Sequence, residues 1–216
     1  MAWSLIGQRP ASGSPSWYKY LSVAPWKVTF TLNWAQSSGN LLVLVLPNTY
    51  PEPVVSVSDS AGNTWNKACA YSGASIFNCE IWYAYNIAAQ STNANTLTIT
   101  YASSVNYSEP MIAEFSNGAA ITSDPLDKVA GQHQTSTTTP SSGDTATTTI
   151  ADELLIGVID HTAWGNTLTW ASGWTDISHP DDWAHWGYKI VSSTGAYSAS
   201  GTFSGSMFAV TSVIAT

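Results

Sequence analysis

The alternation that decides the fold runs through Val28-Thr-Phe-Thr-Leu-Asn-Trp34, where apolar and polar residues take turns. A strand places successive side chains on opposite faces, so this pattern predicts a β-strand with one buried face. The segment Thr96-Leu-Thr-Ile-Thr-Tyr101 alternates in the same way. The segment Leu41-Leu-Val-Leu-Val-Leu46 is apolar throughout and ends at Pro47, which predicts a central strand covered on both faces.

Turn residues recur between these runs, as in Asp59-Ser-Ala-Gly-Asn63 and Ser172-Gly173. We find no convincing amphipathic helix in the sequence. The ten prolines and fifteen glycines lie among short strand-like segments. Together these features favour an all-β sandwich.

The two halves of the chain resemble each other. The matching segments are 39–45 with 152–158, 55–65 with 168–174, 82–87 with 185–190, and 111–113 with 207–209. Because one half offers about five strands and no second layer to cover them, we expect the halves to pair with approximate two-fold symmetry. The sequence therefore predicts one β-sandwich domain of about ten strands over 27–216, with half-repeats 27–117 and 144–216.

The connection 118–143 and the residues after it are rich in Ser and Thr, which supply eleven of the fifteen residues in 135–149. We expect a surface loop over about 134–143, followed by a strand over 145–149, because Thr favours pleated structure. A disordered hinge between two units is the alternative.

Composition narrows the classes of function. The 216 residues include six basic and fourteen acidic side chains, for a net charge of −8, and 9% are charged. Six scattered cations form no basic stripe that could follow a phosphate backbone, which argues against a nucleic-acid binder. We expect no membrane span, because no run of about 18 apolar residues occurs. The start of the chain does not read as a secretory signal. A signal removed beforehand, or a virion component released by lysis, would explain this.

Several of these strings resemble a family of bacterial and phage β-sandwich surface domains that are similar in outline to jelly-roll carbohydrate-binding modules. The strings are Val55-Ser-Val-Ser-Asp-Ser-Ala-Gly-Asn-Thr-Trp65, Glu80-Ile-Trp-Tyr-Ala-Tyr-Asn-Ile87, Asn95-Thr-Leu-Thr-Ile-Thr100, Met111-Ile-Ala-Glu-Phe-Ser116 and Pro125-Leu-Asp127. The resemblance covers 26–216 and implies a jelly-roll-like sandwich at an extracellular or virion surface. Its motifs are structural, so it implies fold and location more than function.

Eleven tryptophans are a large excess for an ordinary core. Alternation in 81–87 places Ile81 and Tyr83 inward, so Glu80, Trp82 and Asn86 are predicted to form an outward platform. An exposed indole beside such polar groups suits a sugar ring. A second platform is predicted from Trp164, Trp170, Trp174, Trp183 and His185, with Asp160, His161, Asp181 and Asp182. The alternative is that most of these indoles fill a thick sandwich or a subunit interface.

An aromatic N-terminal arm, 1–26, precedes the repeat. It carries Trp3, Trp17, Tyr18, Tyr20 and Trp26. Because we find no counterpart for this arm in the second half, we expect it to pack on its own domain or on a neighbour, and we assign these residues to an interface. Self-association into a homo-oligomer or larger assembly is the expectation, since the surface carries few charges.

The two cysteines lie ten residues apart, with Ser72-Gly73-Ala74-Ser75 as turn residues between them. A hairpin there would place Cys69 roughly opposite Cys79, and a cross-strand disulfide is then geometrically possible. Two buried free thiols are the alternative.

The chemistry of catalysis and metal binding is weakly represented. A polar loop that leads into a strand is the preferred interpretation of His179, Asp181 and His185, with ligation of a metal as the alternative, so no metal and no cofactor is predicted. The mid-strand glutamates, Glu80 and Glu114, carry no sign of the spacing that a glycosidase needs. No Gly-x-Ser-x-Gly motif occurs. We therefore predict that the protein is not an enzyme.

Three functions follow in order of preference. The first is a non-catalytic structural or adhesive module on a virion, as capsid decoration or tail protein, or on a similar surface assembly, which binds a glycan or a protein surface. The second is a carbohydrate-binding module of a secreted polysaccharide-degrading system. The third is a glycan-active enzyme.

Overall fold

The fold is all-β in the computed structural model, as the alternation predicts. The structure describes residues 2–9, 19–21, 24–49, 53–73, 77–162, 167–178 and 184–216. These ranges contain strands and turns but no helix, and hence none that could cross a membrane. The strands are β1 (Ser4–Arg9), β2 (Lys19–Leu21), β3 (Lys27–Thr31), β4 (Leu41–Thr49), β5 (Val54–Asp59), β6 (Asn66–Gly73), β7 (Phe77–Tyr85), β8 (Thr96–Tyr101), β9 (Val105–Ser108), β10 (Met111–Ser116), β11 (Lys128–Thr137), β12 (Glu153–His161), β13 (Leu168–Trp170), β14 (Thr175–Asp176), β15 (Ala184–Val191), β16 (Gly201–Phe203) and β17 (Met207–Ala215).

These strands form four antiparallel sheets. The first main sheet has the order β1-β10-β4-β7-β6, with β2 and β9 paired beside β4. The second main sheet has the order β11-β17-β12-β15-β14. The first outer sheet is β3-β8-β5, and the second outer sheet is β13-β16.

The two main sheets have the same strand order. In that order β4 corresponds to β12, β7 to β15 and β10 to β17, which are the pairs that the sequence repeat brings together. The order also matches β1 with β11 and β6 with β14, two correspondences that the sequence comparison did not find. The two halves therefore share one strand arrangement.

The sheets stack in four layers. On β4, Leu41, Val43 and Val45 face the core between the two main sheets, while Leu42, Leu44 and Leu46 face the core beneath the first outer sheet. All six side chains are fully buried, which confirms the strand predicted to be covered on both faces. On β12 the same division holds, with Leu154, Ile156 and Val158 towards the main-sheet core and Leu155 and Ile159 towards the other side.

The predicted number of strands and layers is too low. The sequence predicts a single sandwich of about ten strands, in which each half supplies one layer. That arrangement does not include the two outer sheets. The first outer sheet buries Val28, Phe30, Val57, Leu97 and Ile99 against the first main sheet, so each half already has a second layer of its own. The apolar residues on both faces of β4 and β12 require this covering.

The predicted N-terminal arm is part of the first half. β1 pairs with β10 along the edge of the first main sheet, and β2 pairs with β9. In the second half β11 holds the place of β1, pairing with β17. The predicted surface loop over 134–143 therefore begins within a strand. The predicted strand over 145–149 is not formed, although Thr145 and Thr148 donate backbone hydrogen bonds to the carbonyls of Tyr197 and Gly195.

The start of each half and its last strand meet at one end of the molecule, which we call the junction end. β1, β11 and β12 begin there, and β10 and β17 end there. The backbones of Leu154 and Thr216 are hydrogen-bonded to each other at this end. Asp152, the residue before β12, has a φ of 58°, a left-handed conformation in which non-glycine residues are uncommon.

Candidate functional site

Glu80, on β7, is an anchor between the first main sheet and the chain that covers it. Its carboxylate is fully buried. Oε1 accepts hydrogen bonds from the Val54 backbone N–H (2.9 Å) and from Asn78 Nδ2 (3.0 Å). Oε2 accepts one from Trp82 Nε1 (2.8 Å) and pairs with Lys67 Nζ (2.8 Å). Because four donors surround this buried charge, the arrangement is that of a satisfied structural ion pair.

The prediction that Trp82 and Glu80 form an exposed platform is wrong. Alternation assigned them to the correct face of the strand, since Ile81 and Tyr83 do point into the main-sheet core. That face is covered by the first outer sheet, which leaves Trp82 only 8% exposed. Asn86 is exposed, but it lies six residues from Glu80, about 20 Å along the strand direction. The structure does not bring these three residues together.

Glu114, on β10, is a second buried anchor. Its carboxylate accepts hydrogen bonds from Trp34 Nε1 (2.6 Å), Asn40 Nδ2 (2.6 Å) and the Ser37 backbone N–H (2.9 Å). Glu80 lies opposite Leu46 and Glu114 opposite Leu42, on either side of β4. Two strand spacings and four residues put the two glutamates about 16 Å apart. That exceeds the ~5 to 9.5 Å between glycosidase carboxyl groups, so this pair is not arranged for that chemistry.

Several indoles bind polar groups of this same chain. Trp3 Nε1 donates to the carbonyl of Asp152 (3.0 Å), and Trp65 Nε1 donates to Asp59 Oδ2 (3.2 Å). Trp3, assigned from sequence to an interface, is buried in the main-sheet core, and Trp26 is half-buried against the core beneath the first outer sheet. The structure describes only the backbone place of Tyr20, in β2, while Trp17 and Tyr18 lie outside the described residues.

Two tryptophans of the second predicted platform, Trp170 and Trp174, lie among the described residues and pack against each other. Their rings stack with centroids 5.2 Å apart and an interplanar angle of 24°, and both are half-buried. They lie on glycines of the second main sheet: a Cβ atom at Gly157 would be 2.8 Å from Trp174, and one at Gly187 would be 3.3 Å from Trp170. Trp164, Asp181, Asp182 and Trp183 lie outside the described residues.

His185 is buried, so its predicted place in the second platform, which needs exposed side chains, is wrong. Its ring stacks on that of His161, with centroids 5.3 Å apart, and His161 meets Phe203 of the second outer sheet edge to face. Like Trp82 in the first half, His185 faces the outer layer of its own half. His179 and Asp181, the other conceivable metal ligands, lie outside the described residues. Among the described residues, no three His, Cys, Asp or Glu side chains are grouped to hold a metal ion.

Cys69 and Cys79 are free and buried in the structure, so the disulfide is not formed. The register places Cys69 opposite Ile81 and Cys79 opposite Tyr71, which makes the two thiols diagonal neighbours instead of direct partners. Diagonal positions lie about 7–8 Å apart, beyond the usual reach of a disulfide. Burial raises the pKa of Cys69 to about 12 and that of Cys79 well above its ordinary value.

Asp160 brings a carboxyl group into the main-sheet core, at the end of β12. It is 3% exposed, and its Oδ2 atom has no hydrogen-bond partner. Burial, and then the nearby charge of Glu109, raise the pKa of Asp160 well above its ordinary value. The sequence analysis placed Asp160 in a sugar-binding platform, but a carboxyl group enclosed between two sheets is not open to a ligand.

A cleft of about 600 Å³, which we call the junction cleft, lies at the junction end. Its walls come from the connection between the halves and from the turn before β12, and include Ile121, Asp124, Asp127, Ile150 and Asp152. The sequence analysis did not single out these residues. Acidic residues on both sides of the Ser/Thr-rich connection were the available signal.

No protein-family model, curated protein or solved structure matches this chain. The resemblance drawn from the sequence strings therefore remains a prediction.

Proposed function

We propose that the protein is a non-catalytic structural or adhesive module on the exterior of a virion or a similar surface assembly. The observation that carries this proposal is the strand order of each half. When β1/β2 and β9/β10 are each counted as one interrupted strand, the first half contains eight strands in chain order. Its sheets then have the orders 1-8-3-6-5 and 2-7-4.

This order supports a jelly-roll wind for each half, with the larger sheets of the two halves packed against each other. Jelly rolls are used in viral capsid and lectin domains, and both uses fit a surface module. A fold does not by itself define a function. The second support is chemical: the fully buried carboxylates Glu80 and Glu114 are occupied by donors of this chain, so they serve cohesion.

Assembly would proceed through the faces of the sheets instead of by strand addition. Four of the edge strands, β1, β5, β6 and β11, each carry a shift of register. Such irregularities interrupt the row of hydrogen-bonding groups that a further strand would need. The exposed apolar side chains on three of the sheets, which would suit face contacts, are Ile6, Val55, Val129 and Ile190.

Light scattering coupled to size-exclusion chromatography tests the assembly of the full chain over micromolar concentrations. We expect a discrete oligomer whose molar mass does not grow with time. A strict monomer throughout, or open-ended fibres, would count against the structural role.

A carbohydrate-binding module is the second candidate, favoured by the half-exposed stack of Trp170 and Trp174. A glycan array with wild type and Trp174→Ala tests it, with Trp65→Ala as the matched control, because Trp65 is half-buried at the corresponding turn of the first half. Loss of a stacked indole should weaken binding by ~1–3 kcal/mol, by analogy with other stacking sites. Binding that both variants reduce equally, or no binding at all, would remove this candidate.

A further inference from the structure

Asn117 and Gly118 form the bend that follows β10, where the first half leads into the connection. They are the one Asn-Gly step in the sequence. Gly118 is exposed and has a φ of 81°, a left-handed conformation that favours glycine. A Cβ atom at this position would meet no other atom within 4 Å, so open space lies beside the bend. The backbone nitrogen of Gly118 is therefore shielded neither by a side chain of its own nor by a crowded neighbourhood.

Hydrogen bonds at this bend favour a reaction between the Asn117 carboxamide and the Gly118 nitrogen. Asn117 Oδ1 accepts a hydrogen bond from the Ala119 backbone N–H (3.0 Å). A donor at this oxygen stabilises the negative charge that develops there when a nucleophile attacks Cγ. The Gly118 N–H donates to Ser116 Oγ (3.2 Å), in an exposed hydrogen bond that water can replace. Since β10 ends at Ser116, the sheet does not hold this nitrogen in place.

We propose that Asn117 is a site of spontaneous modification in the folded protein, with the Gly118 backbone nitrogen as the nucleophile. This nitrogen forms a bond to Asn117 Cγ and gives its proton to solvent, while the bond from Cγ to Nδ2 breaks and Nδ2 leaves as ammonia. Water then opens the resulting succinimide ring at either of its carbonyls, which gives aspartate or isoaspartate at position 117. Attack within one chain is favoured because the reacting groups are already neighbours.

The reaction changes the junction cleft, because Asn117 lines it. Asp124 and Asp127 line the same cleft, so either product adds a negative charge to a site that is already acidic. Isoaspartate also adds one methylene group to the backbone between β10 and Ile121, whose N–H donates to the Gly39 carbonyl (2.8 Å). The protein therefore acquires a more acidic form with time. This inference is independent of the proposed surface role.

Incubation of the folded full chain in mildly alkaline buffer, followed by digestion and peptide mass spectrometry, tests the site. We expect the peptide that contains Asn117 to gain one mass unit with time, and fragmentation that distinguishes the two products to find isoaspartate as well as aspartate. Gly118→Ala is the matched variant, because the structure has room for its Cβ atom. It should lose the modification over the same period, since the added methyl group shields the nitrogen.

Asn93 is the internal control, because it is also exposed and left-handed, with a φ of 62°, but is followed by Ala94. Its peptide should stay unmodified while Asn117 reacts. An unchanged Asn117 peptide, aspartate without isoaspartate, or equal conversion of Asn93 or of Gly118→Ala would overturn the proposal. If Gly118→Ala does not fold, Asn117→Gln decides, since a mass gain that persists in the corresponding peptide would also overturn it.

Discussion

The Glu80 anchor makes the sharpest prediction about stability. Replacing Glu80 with Ala removes the acceptor of three buried donors: the Val54 N–H, Asn78 Nδ2 and Trp82 Nε1. Lys67 can turn to solvent, because its side chain is already 34% exposed. A buried donor without a partner costs about 1–3 kcal/mol, and partial relaxation recovers some of that. We therefore expect Glu80→Ala to lower the free energy of unfolding by about 4 kcal/mol.

Urea unfolding followed by tryptophan fluorescence measures this loss. Glu80→Gln, which keeps one acceptor oxygen, should cost roughly half as much. Asp144→Ala, at an exposed acidic residue, should stay within about 0.5 kcal/mol of wild type. If Glu80→Ala lost less than about 1 kcal/mol, Glu80 would behave as a surface residue, and the outer layer described above would be in error.

Three further predictions concern buried groups. Burial raises the pKa of Asp160, so this residue stabilises the folded state at acid pH and loses that contribution as the pH rises. Asp160→Asn should therefore be more stable than wild type at pH 7. Its free energy of unfolding should also depend less steeply on pH. Both thiols should resist a thiol reagent until urea unfolds the chain; two thiols released only by a reductant would show a disulfide instead. Gly157→Ala should cost about 1–3 kcal/mol in the same urea assay, because its Cβ would lie 2.7 Å from that of Ala199; an unchanged midpoint would contradict this packing.

Alternation predicted which face of a strand a residue occupies, because the two-residue period is a property of the backbone itself. It placed Ile81 inward and Trp82 on the opposite face, and the structure agrees. It could not predict that Trp82 is buried, since that depends on whether another layer covers its face. The covering strands β3, β5 and β8 lie up to about 55 positions away along the chain, and nothing local to β7 indicates them.

The N-terminal residues show that comparing the sequences of the two halves can also miss a structural correspondence. Trp3 and the residues after it have no close match in the second half, so sequence comparison left them outside the repeat. Strand order shows that β1 and β11 hold corresponding places, although their sequences differ. An edge strand needs backbone hydrogen bonds with one neighbour, and many sequences supply those. β1 and β11 therefore keep the same place in the fold although their sequences no longer resemble each other.

The candidate sites divide in a similar way. The stacked pair of Trp170 and Trp174 could be anticipated, because the excess of tryptophan is visible in composition. The junction cleft could not, because its walls come from segments on either side of the Ser/Thr-rich stretch 135–149. Those segments meet only where β11 and β12 begin, on either side of the end of β17.

What the amino-acid sequence determined on its own is the all-β class, the doubled arrangement of strands and the doubly covered strand β4. These follow from side-chain periodicity and from apolar content, which act over a few residues. The tertiary structure alone decided that four layers form, that the glutamates serve as anchors and that a cleft lies at the junction end. Burial and proximity between distant segments set those properties, and both arise only when the sheets have packed.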